Sequence, residues 1–149
     1  MLIISTRSRY GLRALVEIVR CGHDKPLALS EIAAVEEVST RYLEQIFGRL
    51  RSAGLVKGRR GPGGGYALAR PASEITLLEI VQALESGVVS PSCLEDAPGC
   101  DGPPMTMETC KRKAKCMTRK LWAMLRDSCF RTLKTNTLED LAWDRLREV

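Results

Sequence analysis

Gly61-Pro62-Gly63-Gly64-Gly65 limits the fold more than any other stretch of the chain. A run of glycine and proline sustains neither a helix nor a strand ladder, so it must be a turn. Short apolar runs flank it. Leu55-Val56 leads into Lys57-Gly58-Arg59-Arg60 on one side, and Tyr66-Ala67-Leu68-Ala69 follows on the other. Two such runs around a glycine tip read as a β-hairpin, which Pro71 ends.

Helical periodicity precedes the hairpin. Ser5 or Thr6 can cap a first helix, with Tyr10, Leu12, Leu15, Val16 and Val19 as its apolar stripe and Gly22 and Pro26 at its end. Ser30 opens a short second helix containing Ile32, Ala33, Ala34 and Val35. Ser39 caps a third, in which Leu43, Ile46, Phe47 and Leu50 recur at helical spacing before Gly54. Two short helices, the second polar on its outer face, predict a helix-turn-helix. The hairpin that follows is then its wing. Thr76 and Glu79 form a capping box for a fourth helix carrying Leu77, Ile80, Val81 and Leu84.

Residues 86–106 change character, with prolines, glycines and acidic residues that hold no regular element. From about Met107 to Lys134 the pattern is helical again, with Ala114, Met117, Leu121, Leu125, Ser128 and Thr132 on one stripe. A helix of that length spans about 42 Å, more apolar stripe than a small domain covers alone, so a second copy is its natural cover. Thr137 starts a terminal helix with Leu138, Leu141, Ala142 and Leu146. The expected organisation is mainly α. Residues 1–85 form a winged helix-turn-helix domain, 86–106 a cysteine-containing loop, and 107–149 a long dimerisation helix and a terminal helix.

The 149 residues suit one such domain with an appendage, and the net charge of +5 favours an anionic partner. Aromatics at 5% argue against a stacking platform for single-stranded nucleic acid. The N-terminus turns polar too soon for a signal peptide, and no stretch is apolar for a membrane span. A cytoplasmic chain keeps its six cysteines reduced, as metal ligands or redox thiols. His23 is the only histidine, and no nucleophile–base pair or paired carboxylates form a recognisable catalytic site, so an enzyme is not expected.

Recognition of double-stranded DNA needs side chains that reach base edges in the major groove. Thr40, Arg41, Tyr42, Glu44 and Gln45 occupy the first half of the third helix, where such contacts are usually made. Alone they would fit a solvated helix face. Beside them, however, Arg59 and Arg60 bring charge to a tip where Gly63 and Gly64 permit close backbone approach to phosphate. A nucleotide-binding reading of the glycine run fails, because Tyr66 stands where the last glycine of G-x-G-x-x-G belongs and no Lys-Ser or Lys-Thr follows.

Cys93, Cys100, Cys110 and Cys116 are separated by six, nine and five residues, without the short knuckles of a zinc site. Irregular spacing suits an iron–sulfur cluster, and Lys111, Arg112, Lys113 and Lys115 favour thiolates. The competing reading is a cluster-free thiol switch using a pair such as Cys100–Cys110. Cys21 and Cys129 sit in helical stripes and read as small core residues.

The blocks Ser8-Arg9-Tyr10-Gly11-Leu12-Arg13-Ala14-Leu15, Tyr42-Leu43-Glu44-Gln45-Ile46-Phe47, Ala53-Gly54-Leu55-Val56, Arg60-Gly61-Pro62-Gly63-Gly64-Gly65-Tyr66-Ala67-Leu68 and Cys116-Met117-Thr118-Arg119-Lys120-Leu121-Trp122 stand together in one chain. In this the sequence resembles the Rrf2 family of bacterial transcription regulators, with its IscR and NsrR types, from Ser5 to the C-terminus. The resemblance implies a homodimer on a palindromic operator, joined by the long C-terminal helix. It implies Glu44 and Gln45 as base readers, and Arg60 with Gly63-Gly64 as the minor-groove and phosphate contact. It also implies an iron–sulfur cluster answering to iron, redox state or nitric oxide, 2Fe–2S favoured over 4Fe–4S. Cys93, Cys110 and Cys116 match the family's three cysteines. Arg119 replaces the histidine of IscR types and Arg9 the acidic residue of nitric-oxide sensors, and a guanidinium does not ligate. Cys100, carried by an insertion, is then the candidate fourth ligand.

Overall fold

The computed structural model describes residues 5–22, 25–85 and 116–148. Helix α1 (Thr6–Arg20) starts at Ser5, whose hydroxyl accepts the Ser8 N–H at 3.3 Å. Its buried face includes Ala14, Leu15, Ile18 and Val19. Helix α2 (Leu29–Glu36) begins one residue before Ser30. Its N-terminal N–H of Ala28 donates to the Glu31 carboxylate at 3.0 Å, so Glu31 closes this end and the serine does not. Glu37, with φ at 54°, stops α2 in the left-handed region. Ser39 caps α3 (Thr40–Ser52) as its sequence suggests, accepting the Tyr42 N–H at 3.2 Å.

Strands β1 (Val56–Arg59) and β2 (Gly65–Leu68) pair antiparallel, with Val56 opposite Leu68 and Arg59 opposite Gly65. Leu27 and Tyr66 exchange two backbone hydrogen bonds of 2.9 Å, which ties the hairpin to the segment entering α2. The Tyr66 ring lies 4.9 Å from that of Phe47 on α3. The wing is thus held at its base from two elements while its tip stays exposed. A short 3-10 turn (Ala72–Glu74), not foreseen from sequence, leads into α4 (Leu77–Leu84). The expected capping box is present: Thr76 N–H donates to Glu79 at 2.9 Å and Glu79 N–H to the Thr76 hydroxyl at 3.3 Å.

Helices α5 (Arg119–Thr135) and α6 (Leu138–Ala142) complete the chain. Of the long helix expected from Met107, residues 107–115 lie outside the described ones. Cys116 to Thr118 make a turn, so the helix begins at Arg119 and Met117 falls off its stripe. Apolar spacing continues across a helix start, whereas backbone dihedrals do not. Likewise Leu146, expected on the terminal helix, lies beyond its end and is exposed. Cys21, expected in the core, is exposed at the end of α1, and Cys129 is half-buried on α5.

One hydrophobic core joins these elements, with Leu15, Ile18, Leu43, Phe47, Ile80 and Leu138 fully enclosed. Leu138 and Ala142 of α6 belong to it, although they come from the segment grouped with dimerisation on sequence. Backbone bonds dock α6 there: Leu138 N–H donates to Ile75 O at 2.8 Å, and Leu77 N–H to Asn136 O at 3.0 Å. An Arg13–Glu36 ion pair of 2.5 Å links α1 to α2. No helix among the described residues is long and apolar enough to cross a membrane.

Candidate DNA interface and cysteine site

Leu43, Ile46, Phe47 and Leu50 turn one face of α3 into the core, which forces the opposite face outward. Thr40, Arg41, Glu44 and Gln45 are all exposed there. Tyr42 differs. It is half-buried, packed on the core, with its ring edge-on to Tyr10 at 6.1 Å. That contact braces α3 against α1 and leaves part of the Tyr42 side chain exposed. Arg49, four residues after Gln45, lines a shallow groove of about 680 Å³ with Gln45, Gly48 and Ser52. The same i, i+4 spacing that selects Gln45 would have included it.

The wing contributes Lys57, Arg59 and Arg60, each exposed. Between residues 40 and 60 six basic side chains accompany one acidic one, Glu44, so this surface favours an anionic polymer. Gly63 has φ at 68°, and a Cβ on Gly64 would stand 2.4 Å from the Arg59 carbonyl oxygen. The tip therefore needs its glycines to close at all, independently of any phosphate it approaches.

Cys93, Cys100 and Cys110 lie outside the described residues, as does His23. Cys116 is half-buried, just ahead of α5, with Sγ 3.4 Å from the Thr118 hydroxyl. That hydrogen bond, then the backbone N–H groups of Thr118 and Arg119 and the Arg119 charge, hold its thiol below the ordinary 9.0 against a small opposing effect of burial. A thiolate is the form that binds iron. Among the described residues no three His, Cys, Asp or Glu side chains gather into a metal site. Arg9, on α1, donates to the Thr6 hydroxyl at 3.4 Å.

These features coincide with those of known proteins. Residues 4–144 match the family model Rrf2, described as an iron-dependent transcriptional regulator. The chain is 36% identical to Protein rrf2 of Nitratidesulfovibrio vulgaris over 141 residues, 95% of this chain and 87% of that one. Among solved structures it resembles CymR (YrzC), the global cysteine regulator of B. subtilis, with a TM-score of 0.75, 38% identity, and coverage of 97% and 98%. It also resembles T. potens IscR, with a TM-score of 0.71, 31% identity, and coverage of 96% and 88%. A helix-turn-helix with its basic wing, matched along nearly the whole chain at these identities, places the protein in the Rrf2 family of winged-helix transcription regulators.

Proposed function

We propose that this family member reads a palindromic operator as a homodimer, and that an iron–sulfur cluster controls the binding. The observation that carries the DNA reading is the exposed outer face of α3, where Arg41, Glu44 and Gln45 point away from the core beside a basic wing. In this reading Thr40, Arg41, Glu44 and Gln45 enter the major groove, with Tyr42 steadying the helix. Arg59, Arg60 and the Gly63-Gly64 tip meet phosphate and the minor groove. Residues 1–85 bind DNA, the segment from 86 to Cys116 holds the cluster, and α5 joins the two copies.

Cys93, Cys100, Cys110 and Cys116 are the proposed ligands. The donor at Cys116 fits, since its surroundings favour thiolate at the start of a helix. The family description as iron-dependent and the resemblance to an IscR support the same reading. When bound, the cluster supplies a group whose charge and ligation respond to iron supply, redox state or nitric oxide. Anaerobically purified protein should show visible absorption with iron and acid-labile sulfide. Single Cys→Ala changes at 93, 100, 110 and 116 should each lower all three, while Cys21→Ala and Cys129→Ala leave them unchanged. A full, spectrally unaltered cluster in Cys100→Ala would reject the four-cysteine set.

A second reading is a thiol switch without iron, favoured by the similarity to CymR and by the lowered Cys116 thiol. It requires colourless protein whose DNA binding is lost on mild oxidation and restored by dithiothreitol. The same preparation distinguishes the two.

A further inference from the structure

Gly48 stands in the middle of α3, where glycine weakens a helix relative to alanine. Such a residue is usually explained by a neighbour that leaves no room for a side chain. Here a Cβ would meet no atom within 4 Å, and the backbone is ordinary helix. Nothing among the described residues requires the glycine.

Its place on the helix suggests what does. Gly48 lies seven residues after Arg41, about two turns, and directly between Gln45 and Ser52 along the outward face. The Ser52 hydroxyl folds back to donate to the Gly48 carbonyl oxygen at 3.0 Å, which keeps that side chain low against the helix. The outward side of α3 is therefore low at Gly48, which with Gln45, Arg49 and Ala83 of α4 lines the groove beside the helix. A helix with its side chains is about 10–12 Å across, and the major groove of B-DNA is about 12 Å wide, so the fit leaves little slack. Removing a side chain from this side brings the helix axis nearer the base edges.

We infer that Gly48 is a positioning residue for DNA reading. It lets α3 seat deeply enough in the major groove for Arg41, Glu44 and Gln45 to reach base edges with good geometry. This rests on the reading of α3 as the recognition helix. Stability and affinity then move in opposite directions on substitution, which a merely structural glycine does not produce.

The probe is a duplex enriched by the wild-type protein from a random-sequence pool, with its scrambled counterpart as the reference. Gly48→Ala and Gly48→Gln, prepared anaerobically as full-length protein, should both raise the unfolding temperature, by about 2–4 °C for alanine. Affinity for the enriched duplex should fall about tenfold in Gly48→Ala and further in Gly48→Gln, through lost base contacts. Affinity for the scrambled duplex, set by phosphate contacts, should stay near that of wild type. Gly48→Gln binding the enriched duplex within about threefold of wild type overturns the inference. Arg41→Ala and Gln45→Ala run in parallel. If they lose discrimination while the Gly48 variants keep it, only the role of Gly48 is wrong. If they too bind as wild type, or if the wild-type protein enriches no sequence, the recognition-helix reading itself falls.

Discussion

Glu85 shows how much one carboxylate can hold. Its Oε1 accepts from the Ser5 N–H at 3.0 Å, the Ser5 hydroxyl at 2.6 Å and the Ser8 hydroxyl at 2.5 Å. Arg7 adds a bond of 2.9 Å to the neighbouring Leu84 carbonyl. The start of α1 is thereby tied to the end of α4. Burial pushes the Glu85 carboxyl up, but the Ser5 and Ser8 hydrogen bonds and the Arg7 charge together hold it below its ordinary 4.5. A depressed carboxylate stabilises the fold above its unfolded pKa, and that contribution is lost as pH falls through the folded value. Glu85→Gln should therefore lower stability near neutral pH by about 1–2 kcal/mol, as expected for hydrogen bonds to a charged group. The gap to wild type should narrow as pH drops below 4.5. Thermal unfolding across pH measures this, and a gap that stays constant into strong acid would count against it. At the other end of α4, Thr76→Ala removes the helix cap and should cost about 1 kcal/mol in denaturant unfolding.

Elements add a second level, because α3 and the wing carry different kinds of contact. Arg60 is exposed on the wing, so Arg60→Ala should leave the unfolding temperature unchanged. If it meets phosphate, binding weakens equally on all sequences and the salt slope falls by about one. Gln45→Ala should instead relax discrimination at one base position by ~1–3 kcal/mol. Fluorescence anisotropy over a salt series on matched and mismatched duplexes separates the two signatures. Gly64→Ala is expected to resemble neither. Its Cβ collides with the Arg59 and Gly61 carbonyl oxygens, at 2.4 and 2.7 Å, so the tip must reopen before anything can bind. Amide exchange in β1 and β2 should rise, with DNA affinity falling on every sequence.

At the scale of the whole molecule, α5 is the helix with the most exposed apolar face among the described residues. No residue of α5 is buried, and Leu121, Met124 and Leu125 are 51%, 59% and 46% exposed. Among the described residues, Leu133 near its end packs against the core. A second copy would cover this face and set two α3 helices about one DNA turn, ~34 Å, apart. Sedimentation should show a dimer at micromolar concentration. Leu121→Glu combined with Leu125→Glu should give a folded monomer that no longer prefers a palindrome over a single half-site. A wild-type monomer under those conditions would refute the assembly.

Local chemistry was legible in the residues themselves. Ser39, Thr76 and Thr137 cap where short polar side chains precede helical stripes, and a glycine tip between apolar runs made the hairpin. The outward face of α3 could be read because spacing in sequence equals direction in a helix, and the family through the resemblance of its sequence blocks. Tertiary structure decided the rest. Packing sets Tyr10 edge-on against Tyr42, and the end of α1 leaves Cys21 exposed, neither of which follows from spacing. Periodicity says that Leu138 and Ala142 need cover, but only the backbone bonds from residues 75–77 select the core that provides it. Gly48 is the reverse case, a residue whose identity no contact among the described residues explains. Spacing determines which side chains share a face; what that face meets depends on long-range packing, or on a partner outside the chain.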